Sequence, residues 1–260
     1  MGTGPPSASA AGPRALALIP ARMGATRFPG KPLKADTGTP LVVHVVQQVQ
    51  RAATVDRVVV ATDTPAIAEA VAAAGAEAVM TGAHPNGTSR LAEALLKLDD
   101  PASLIVNVQG DEPEVPPATI DALVAGLHAD ASAGMATLAS PFAPGEDPAD
   151  PNVVKVVVGQ NGRALYFSRS LIPFDRDQEG HAPVAKHPGL YAYRRAFLLG
   201  YPRLAPTPLE QAEKLEQLRV LEHGLPIAIV EAPAPCPGID TPEQYAAFVK
   251  RWNQQRARSR

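Results

Sequence analysis

Short apolar runs alternate with amphipathic segments through the first half of the chain. Four runs, at residues 15–19, 57–61, 76–80 and 104–108, have the length and apolar content of buried strands. After the first run, apolar side chains recur at helical spacing on one face, at Leu41, Val42, Val45, Val46 and Val49. This alternation predicts right-handed βαβ units, and therefore an α/β fold with a mostly parallel central sheet flanked by helices.

Turn and capping residues give the expected helix boundaries. Residues 39–40, a Thr-Pro pair, suit the N-cap and first position of the first helix. Residues 62–65 open a second helix, which should end at Gly75. A second Thr-Pro pair, at residues 207–208, predicts one long helix that Gly224 stops.

The pattern changes from residue 133 onward. Residues 135–140, 153–158 and 164–167 resemble strands joined by loops rich in Pro, Gly and Asp, with no helix between them. We therefore expect a smaller, strand-rich antiparallel insertion at about residues 134–206. This part should build a substrate pocket and an oligomer contact, and a last strand is expected at residues 226–231.

The two ends of the chain differ in composition from the rest. Residues 1–13 are small and Pro-rich and lack the basic start of a signal peptide, so a disordered leader is expected. Residues 14–250 are predicted to form one domain, whose final helix begins at Thr241 with Gln244 at capping-box spacing. Residues 251–260 are expected to be a basic tail at a frayed helix end.

Composition narrows the function classes. With 260 residues and 45% hydrophobic content, the chain has enough apolar material for a sizeable core. A formal net charge of −2 argues against a nucleic-acid partner. No apolar run approaches the ~18 residues that span a membrane. The single cysteine, Cys236, excludes an internal disulfide and a cysteine-based zinc site, and this composition suits the reducing cytoplasm.

Three cations lie on the loop between the first strand and the first helix. They are Arg22, Arg27 and Lys31. Such a loop lies at the carboxyl end of a strand, where open α/β sheets bind ligands, and its free backbone N–H groups favour anions. The loop therefore predicts a polyphosphate site.

The spacing of this loop excludes the common phosphate-binding motifs. Five residues separate Gly24 from Gly30, and Pro32 occupies the place where a Walker loop has its hydroxyl residue. The pattern G-x-G-x-x-G is also missing, which disfavours an NAD-dependent oxidoreductase.

A carboxylate pair follows the apolar run at residues 104–108. Asp111 and Glu112 stand at the mouth of a strand that should be central in the sheet. Unpaired carboxylates are costly to bury, so this position favours a bound cation.

Several stretches together resemble the CTP:3-deoxy-manno-octulosonate cytidylyltransferases, a family of nucleotidyltransferases. They are IPAR and GKPL in the first loop, VATD from Val60, GTSRLAEAL from Gly87, VNVQGDEP from Val106, MATLASP from Met135, ALYFSR from Ala164, HPGLYAYR from His187, LEQLRVLEHG from Leu215 and GIDTPE from Gly238. The resemblance covers nearly all of residues 15–249. It implies a Rossmann-like nucleotidyltransferase fold and a homodimer.

The same resemblance implies a reaction and its substrates. The anomeric hydroxyl of 3-deoxy-manno-octulosonate (Kdo) attacks the α-phosphorus of CTP, giving CMP-Kdo and pyrophosphate for lipopolysaccharide biosynthesis. No nucleic-acid or membrane partner is implied. The transfer needs cations along the triphosphate and a hard metal, and the resemblance assigns Mg²⁺ to Asp111 and Asp240. Two alternatives stay open, since Asp240 could cap the final helix and Glu112 could replace Asp111 as ligand.

The resemblance also assigns the nucleotide-binding residues. The cations Arg22, Arg27 and Lys31 should hold the β- and γ-phosphates, with Arg22, Lys31, Asp111 and Asp240 forming the catalytic set. Cytosine and ribose should contact Ala21, Asp63, Thr88 and Arg90. The family usually has Glu at the position of Ser89, so the side-chain contacts of that loop are left open.

Six residues are assigned to the sugar by the same resemblance. They are Gln109, Arg169, His187, Tyr191, Glu216 and Gln217. A polyhydroxylated acid needs such polar groups and a cation for its carboxylate. His187 lies within the HPGLYAYR stretch, whereas His44, His128 and His223 are expected to be structural. Residues 175–186 form a shorter loop than in better-known members, which predicts an altered pocket rim.

Two other functions remain possible from the sequence. A few pocket residues could redirect the enzyme to a related acid sugar, such as an amino-ulosonate or a sialic acid. A nucleotide-binding regulatory protein without catalysis is the second alternative, and the joint presence of Lys31, Asp111 and Asp240 disfavours it.

Overall fold

The fold is described from a computed structural model, over residues 12–24, 28–142, 145–181, 183–232 and 238–258. The strands are β1 Ala15–Ala21, β2 Val55–Thr62, β3 Glu77–Met80, β4 Leu104–Asn107, β5 Met135–Ala139, β6 Lys155–Val158, β7 Ala164–Ser168, β8 Ala185–Lys186, β9 Tyr191–Arg194 and β10 Ile227–Glu231. The helices are α1 Leu41–Val49, α2 Pro65–Ala73, α3 Gly87–Lys97, α4 Pro117–Ala129, α5 Arg195–Gly200, α6 Pro208–Glu213, α7 Glu216–Glu222 and α8 Pro242–Arg258, with 3-10 turns at Lys31–Leu33 and Tyr201–Arg203.

These residues form two sheets. The central sheet has the strand order β10-β5-β9-β4-β1-β2-β3. Within it β9 runs antiparallel to both of its neighbours, β4 and β5, and the other paired strands are parallel. The small sheet has the order β7-β6-β8 and is antiparallel. The predicted α/β class, with a mostly parallel sheet and a smaller antiparallel part, is confirmed.

Alternating side chains of β1 divide the core between the two faces of the central sheet. Ala17 and Ile19 pack in one apolar cluster with residues of α1 and α4. Leu16 and Leu18 pack in the opposite cluster with residues of α3 and the small sheet. A buried strand with both faces covered explains the continuous apolar run in the sequence.

The small sheet is tied to the central sheet beside the carboxyl end of β5. The backbone N–H of Ser140 donates to the Lys186 carbonyl at 2.9 Å, and the Lys186 N–H donates back at 2.8 Å. This link places β8 next to the end of the central sheet where β1 and β4 also terminate.

Most predicted boundaries agree with the fold, but several details differ. Helix α1 begins at Leu41 with Pro40 as its N-cap, so Thr39 lies one position outside the cap. Helix α8 continues to Arg258, and Arg251 binds Glu114, so the predicted frayed tail is helical at least that far. Helices α4 and α5 and strands β8 and β9 have no counterpart among the sequence predictions.

The predicted long helix after residue 207 is in fact two short helices. Lys214, between α6 and α7, has left-handed backbone angles of φ 53 and ψ 47, which cost a non-glycine residue about 1–2 kcal/mol. Contacts from a distant segment hold this break, because Arg169 Nε donates to the Glu213 carbonyl at 2.7 Å. The break ends the helical hydrogen bonding, and Leu215 then packs in the core.

Candidate active site

A cleft of about 920 Å³ opens at the carboxyl ends of β1 and β4. Its walls come from the first loop, the start of α3, the segment around β8 and the start of α7. Gly110 lines the cleft, and a Cβ added there would lie 3.0 Å from the Pro20 carbonyl oxygen. The close approach of the two strand ends therefore favours glycine at this position.

Lys31 lines the cleft and contacts both predicted metal ligands. Its ammonium Nζ lies 2.6 Å from Asp111 Oδ2 and 3.5 Å from Asp240 Oδ1. It also donates to the Ile239 carbonyl at 2.6 Å. The loop after β1, the loop after β4 and the segment before α8 thus bring together three residues that are far apart in sequence.

The cap of α8 is separate from the Asp240 carboxylate. Thr241 Oγ1 accepts from the Gln244 backbone N–H at 3.3 Å, and Gln244 Oε1 accepts from the Thr241 N–H at 3.1 Å. This is the predicted capping box. Gln244 Oε1 also accepts from the Asp240 N–H at 2.6 Å, whereas the Asp240 carboxylate contacts Lys31. The helix therefore does not need this carboxylate as its cap.

Glu112 occupies a different environment from Asp111. Its side chain is buried, and among the described residues its Oε2 has no hydrogen-bond partner. Burial raises the pKa of the Glu112 carboxyl well above its usual value, and the charges of Asp111 and Asp240 add to that rise while Lys186 opposes it. Asp111 is the residue of this pair that contacts Lys31.

Most of the predicted nucleotide residues line the cleft, and Asp63 instead contacts one of the residues that do. Ala21, Arg22, Thr88 and Arg90 line the cleft. Asp63 is not among the lining residues and accepts from Arg90 Nη2 at 2.6 Å. It therefore orients the Arg90 side chain. Arg27, the third cation of the first loop, lies outside the described residues.

The loop before α3 is held by its own cap and by α7. Asn86 is the N-cap of α3, and its Oδ1 accepts from the Ser89 backbone N–H at 2.8 Å. Thr88 Oγ1 donates to Glu216 Oε2 at 2.6 Å. A residue predicted for the nucleotide and one predicted for the sugar are thus directly connected.

Five of the six predicted sugar residues line the cleft: Gln109, His187, Tyr191, Glu216 and Gln217. Tyr191 OH donates to Gln217 Oε1 at 3.3 Å. Gln109 Nε2 donates to the Gly189 carbonyl at 3.3 Å, which joins the loop after β4 to the segment before β9. These contacts hold several polar groups on one wall of the cleft.

His187 is held in its neutral form. Thr137 Oγ1 donates its single hydrogen to the Leu190 carbonyl at 2.6 Å, so it accepts from His187 Nε2, which lies 2.9 Å away. Burial lowers the pKa of His187 to about 3. The ring therefore offers Nδ1 as an acceptor and carries no charge at neutral pH.

Arg169 is the predicted sugar residue that the structure places elsewhere. Its Nε donates to the Glu213 carbonyl at 2.7 Å, and its Nη1 donates to the Pro151 carbonyl at 2.9 Å. It is not among the residues that line the described cleft. In this arrangement Arg169 supports the loop between α6 and α7.

The sequence patterns missed five charged residues that line the cleft: Glu146, Asp150, Lys186, Lys214 and Arg251. Lys186 directly precedes the HPGLYAYR stretch and pairs with Glu146. The expected helix after residue 207 placed Lys214 inside that helix, so its exposure to the cleft was not predicted. Lys186 and Lys214 each directly precede a recognised stretch, HPGLYAYR and LEQLRVLEHG, and that position was the signal available.

Comparison with known proteins places the chain in a family. Residues 16–229 match the family model described as cytidylyltransferase. The 3-deoxy-manno-octulosonate cytidylyltransferase of Geobacter metallireducens is 50% identical over 246 residues, covering 90% of this chain and 96% of that protein. The protein of the same name from Syntrophobacter fumaroxidans is 51% identical over 240 residues, covering 91% and 96%.

Solved structures agree with these sequence relatives. A CMP:2-keto-3-deoxy-manno-octonic acid synthetase, solved in complex with CTP, has a TM-score of 0.87 and 42% identity, covering 93% of this chain and 99% of that one. A nucleotidyl transferase from Methanothermobacter thermautotroptrophicus has a TM-score of 0.59 at 17% identity and supports the fold alone. This chain therefore belongs to the cytidylyltransferase family, as an enzyme of the 3-deoxy-manno-octulosonate cytidylyltransferase group.

Proposed function

We propose that this enzyme transfers the cytidylyl group of CTP to Kdo, giving CMP-Kdo and pyrophosphate for lipopolysaccharide biosynthesis. The observation that carries the proposal is the contact of Lys31 with Asp111 and Asp240 in a cleft whose other wall is polar. The names of the relatives support the choice of substrates.

In the proposed reaction, the anomeric hydroxyl oxygen of Kdo forms a bond to the α-phosphorus of CTP. The bond from that phosphorus to the bridging oxygen breaks, pyrophosphate leaves, and the hydroxyl proton is released. Such a transfer depends mainly on positioning and on charge neutralisation. Lys31 and Arg22 would neutralise the triphosphate, and Lys31 would favour the charge that develops on the leaving group.

The residues of the cleft suit a magnesium ion. Asp111 and Asp240 both reach the same ammonium, so their carboxylates converge, and carboxylate oxygens are ligands that Mg²⁺ prefers. Within the described residues no group of three or more His, Cys, Asp or Glu side chains forms a metal site. Two carboxylates suit an ion that shares phosphate oxygens with its substrate. When bound, Mg²⁺ would supply positive charge at the reacting phosphate.

The polar wall would orient the acceptor. His187 Nδ1 is available to accept a hydrogen bond, and the buried Nε2 of Gln217 has no partner among the described residues. Tyr191 and Glu216 complete the set that would contact sugar hydroxyls. Arg90, held by Asp63, would contribute to the nucleotide side.

A cytoplasmic location is part of the proposal, supported by the single cysteine of the sequence. None of the described helices combines the length and apolarity needed to cross a membrane.

The proposal is tested by pyrophosphate release with each of the four nucleoside triphosphates against a panel of acidic sugars. We expect turnover with CTP and Kdo. Equal turnover with ATP or UTP would contradict the cytidylyl assignment. Faster turnover with a sialic acid or an amino-ulosonate would favour the related-sugar alternative, and no turnover with any acceptor would favour the regulatory alternative.

A further inference from the structure

The cations of the cleft differ in whether a carboxylate already binds them. Within the described residues, the Lys and Arg side chains that line it are Arg22, Lys31, Arg90, Lys186, Lys214 and Arg251. Four of these make ion pairs: Lys31 with Asp111, Arg90 with Asp63, Lys186 with Glu146, and Arg251 with Glu114. Arg22 and Lys214 pair with no carboxylate of the described chain.

The two unpaired cations lie on different walls. Arg22 directly follows β1, on the same loop as Lys31, and belongs to the expected triphosphate side. Lys214 is exposed and directly precedes Leu215, Glu216 and Gln217, of which the last two were assigned to the sugar. Glu216 itself accepts from Thr88, and Gln217 from Tyr191.

The backbone of Lys214 is fixed in an unusual conformation. Its left-handed angles, φ 53 and ψ 47, are those at which glycine is most often found. The preceding residue, Glu213, makes three hydrogen bonds to β7 and the residue after it. Its carboxylate oxygens accept from Ser168 Oγ at 2.6 Å and from the Arg169 N–H at 2.9 Å. Its carbonyl accepts from Arg169 Nε. Left-handed non-glycine residues held by their surroundings are enriched at functional sites.

We propose that Lys214 binds the carboxylate of the acidic sugar and so selects an acid as the acceptor. This inference rests on the proposed function, in which the acceptor is an ulosonate. Lys214 is a free ammonium beside the sugar wall, whereas the cation first assigned to this task, Arg169, is bound to two backbone carbonyls outside the cleft lining. Arg169 is then a positioning residue that fixes the peptide before Lys214.

The backbone conformation makes Lys214→Gly a clean test. Glycine adopts left-handed angles without strain, so the variant should unfold at the same temperature as wild type or higher. We expect KM for Kdo to rise about tenfold, the size of one partly exposed charge-assisted contact, while KM for CTP changes little. Lys214→Arg keeps the charge and should stay close to wild type. Lys214→Asn, which also tolerates these angles, provides a second neutral variant.

Gln178 provides a matched control. It is the other non-glycine residue of the described chain with positive φ, at 57, and it does not line the cleft. Gln178→Gly therefore removes the same kind of left-handed backbone strain away from the cleft, and it should leave KM for Kdo and KM for CTP unchanged.

The charge of the acceptor is tested with the C1 amide of Kdo, which lacks the carboxylate. Wild type should prefer Kdo to this amide, and Lys214→Gly should lose most of that preference. Unchanged preference in the glycine variant, or a rise in KM for CTP in place of KM for Kdo, would overturn the inference. If wild type itself does not use Kdo, the proposed function fails first, and the two failures are thereby distinguished.

Discussion

At the scale of single residues, Lys31 shows how a buried charge is compensated in the cleft. An ammonium has three N–H donors, and the neighbours of Lys31 Nζ are two carboxylates and one carbonyl. The lysine is 7% exposed, so its charge is compensated by protein groups in place of water. The sequence predicted all three charged members of this cluster, because each lies in a stretch with a specific motif.

Substituting Lys31 by Met should lower kcat by about 10²–10³-fold, the usual loss for one group that stabilises charge in the transition state. KM for Kdo should change much less, since the lysine lies on the triphosphate side. Steady-state kinetics with both substrates varied would measure the two effects. Near-native kcat in this variant would show that the first loop is not the catalytic centre.

Asp111→Asn and Asp240→Asn should both fold and both lose most activity, because each removes a negative charge that the proposed Mg²⁺ needs. Activity across a magnesium titration measures this for the single variants and the double variant. Glu243→Gln removes a nearby exposed charge outside the cleft and is the control. Full activity of Asp240→Asn at ordinary magnesium would remove that residue from the site.

The buried His187 predicts a dependence of stability on pH. Its folded pKa of about 3 lies below the ordinary value of 6.5, so between these values the unfolded chain binds more protons than the folded one. The free energy of unfolding should therefore fall as pH decreases from about 6.5 toward 3. His44, whose pKa burial also lowers, contributes with the same sign.

Urea unfolding of His187→Gln at several pH values should give a shallower decline than wild type. Exposed His128 provides the control, and His128→Gln should keep the wild-type decline. An unchanged slope in His187→Gln would show that this ring does not drive the acid sensitivity.

At the scale of elements, the sequence predicts the strands and helices whose formation depends on their own residues, and it misses features that depend on distant contacts. Strand β1 was predicted because both of its faces are buried, with Leu16 and Ile19 in opposite core clusters. The break between α6 and α7 was not predicted, since it depends on Arg169, which is distant in sequence. Strand β9 was missed for a similar reason, because its place in the sheet depends on pairing with β4 and β5, which are distant in sequence.

The capping box of α8 should have a measurable effect. Thr241→Ala removes the hydroxyl that accepts from the Gln244 N–H and should destabilise the protein by about 1 kcal/mol. Thr241→Ser keeps the hydroxyl and should remain within a few tenths of wild type. Chemical denaturation compares them, and equal stability of the Ala and wild-type proteins would contradict the role of this cap.

At the scale of the whole molecule, the second half leaves apolar side chains in contact with solvent. Leu165 on β7 is 62% exposed, and Phe174 on the following loop is 87% exposed. Strand β7 is also at the edge of the small sheet. Exposed apolar side chains and edge strands are features that a second subunit can cover.

We therefore expect a homodimer, with a mass of twice the 27.2 kDa chain in light scattering at micromolar concentration. Phe174→Glu should shift the population toward monomer. Leu96→Glu changes an apolar residue on α3 that is 74% exposed, and it should not do so. A clean monomer for the wild-type protein would reject the expectation.

The position of β9 has a consequence for the newly made chain. Strands β5 and β10 join the rest of the central sheet only through β9 among the described residues, and β9 comes late in the chain. During synthesis, the edge of β4 therefore stays unpaired on that side until Tyr191–Arg194 leave the ribosome. A nascent polypeptide released before that point would contain Lys31 and Asp111. It would also expose the unpaired edge of β4 and the apolar side chains beside it, which favour aggregation. Truncated mRNAs that end before the codons for Tyr191–Arg194 should therefore give an aggregated or degraded product and no partly active fragment.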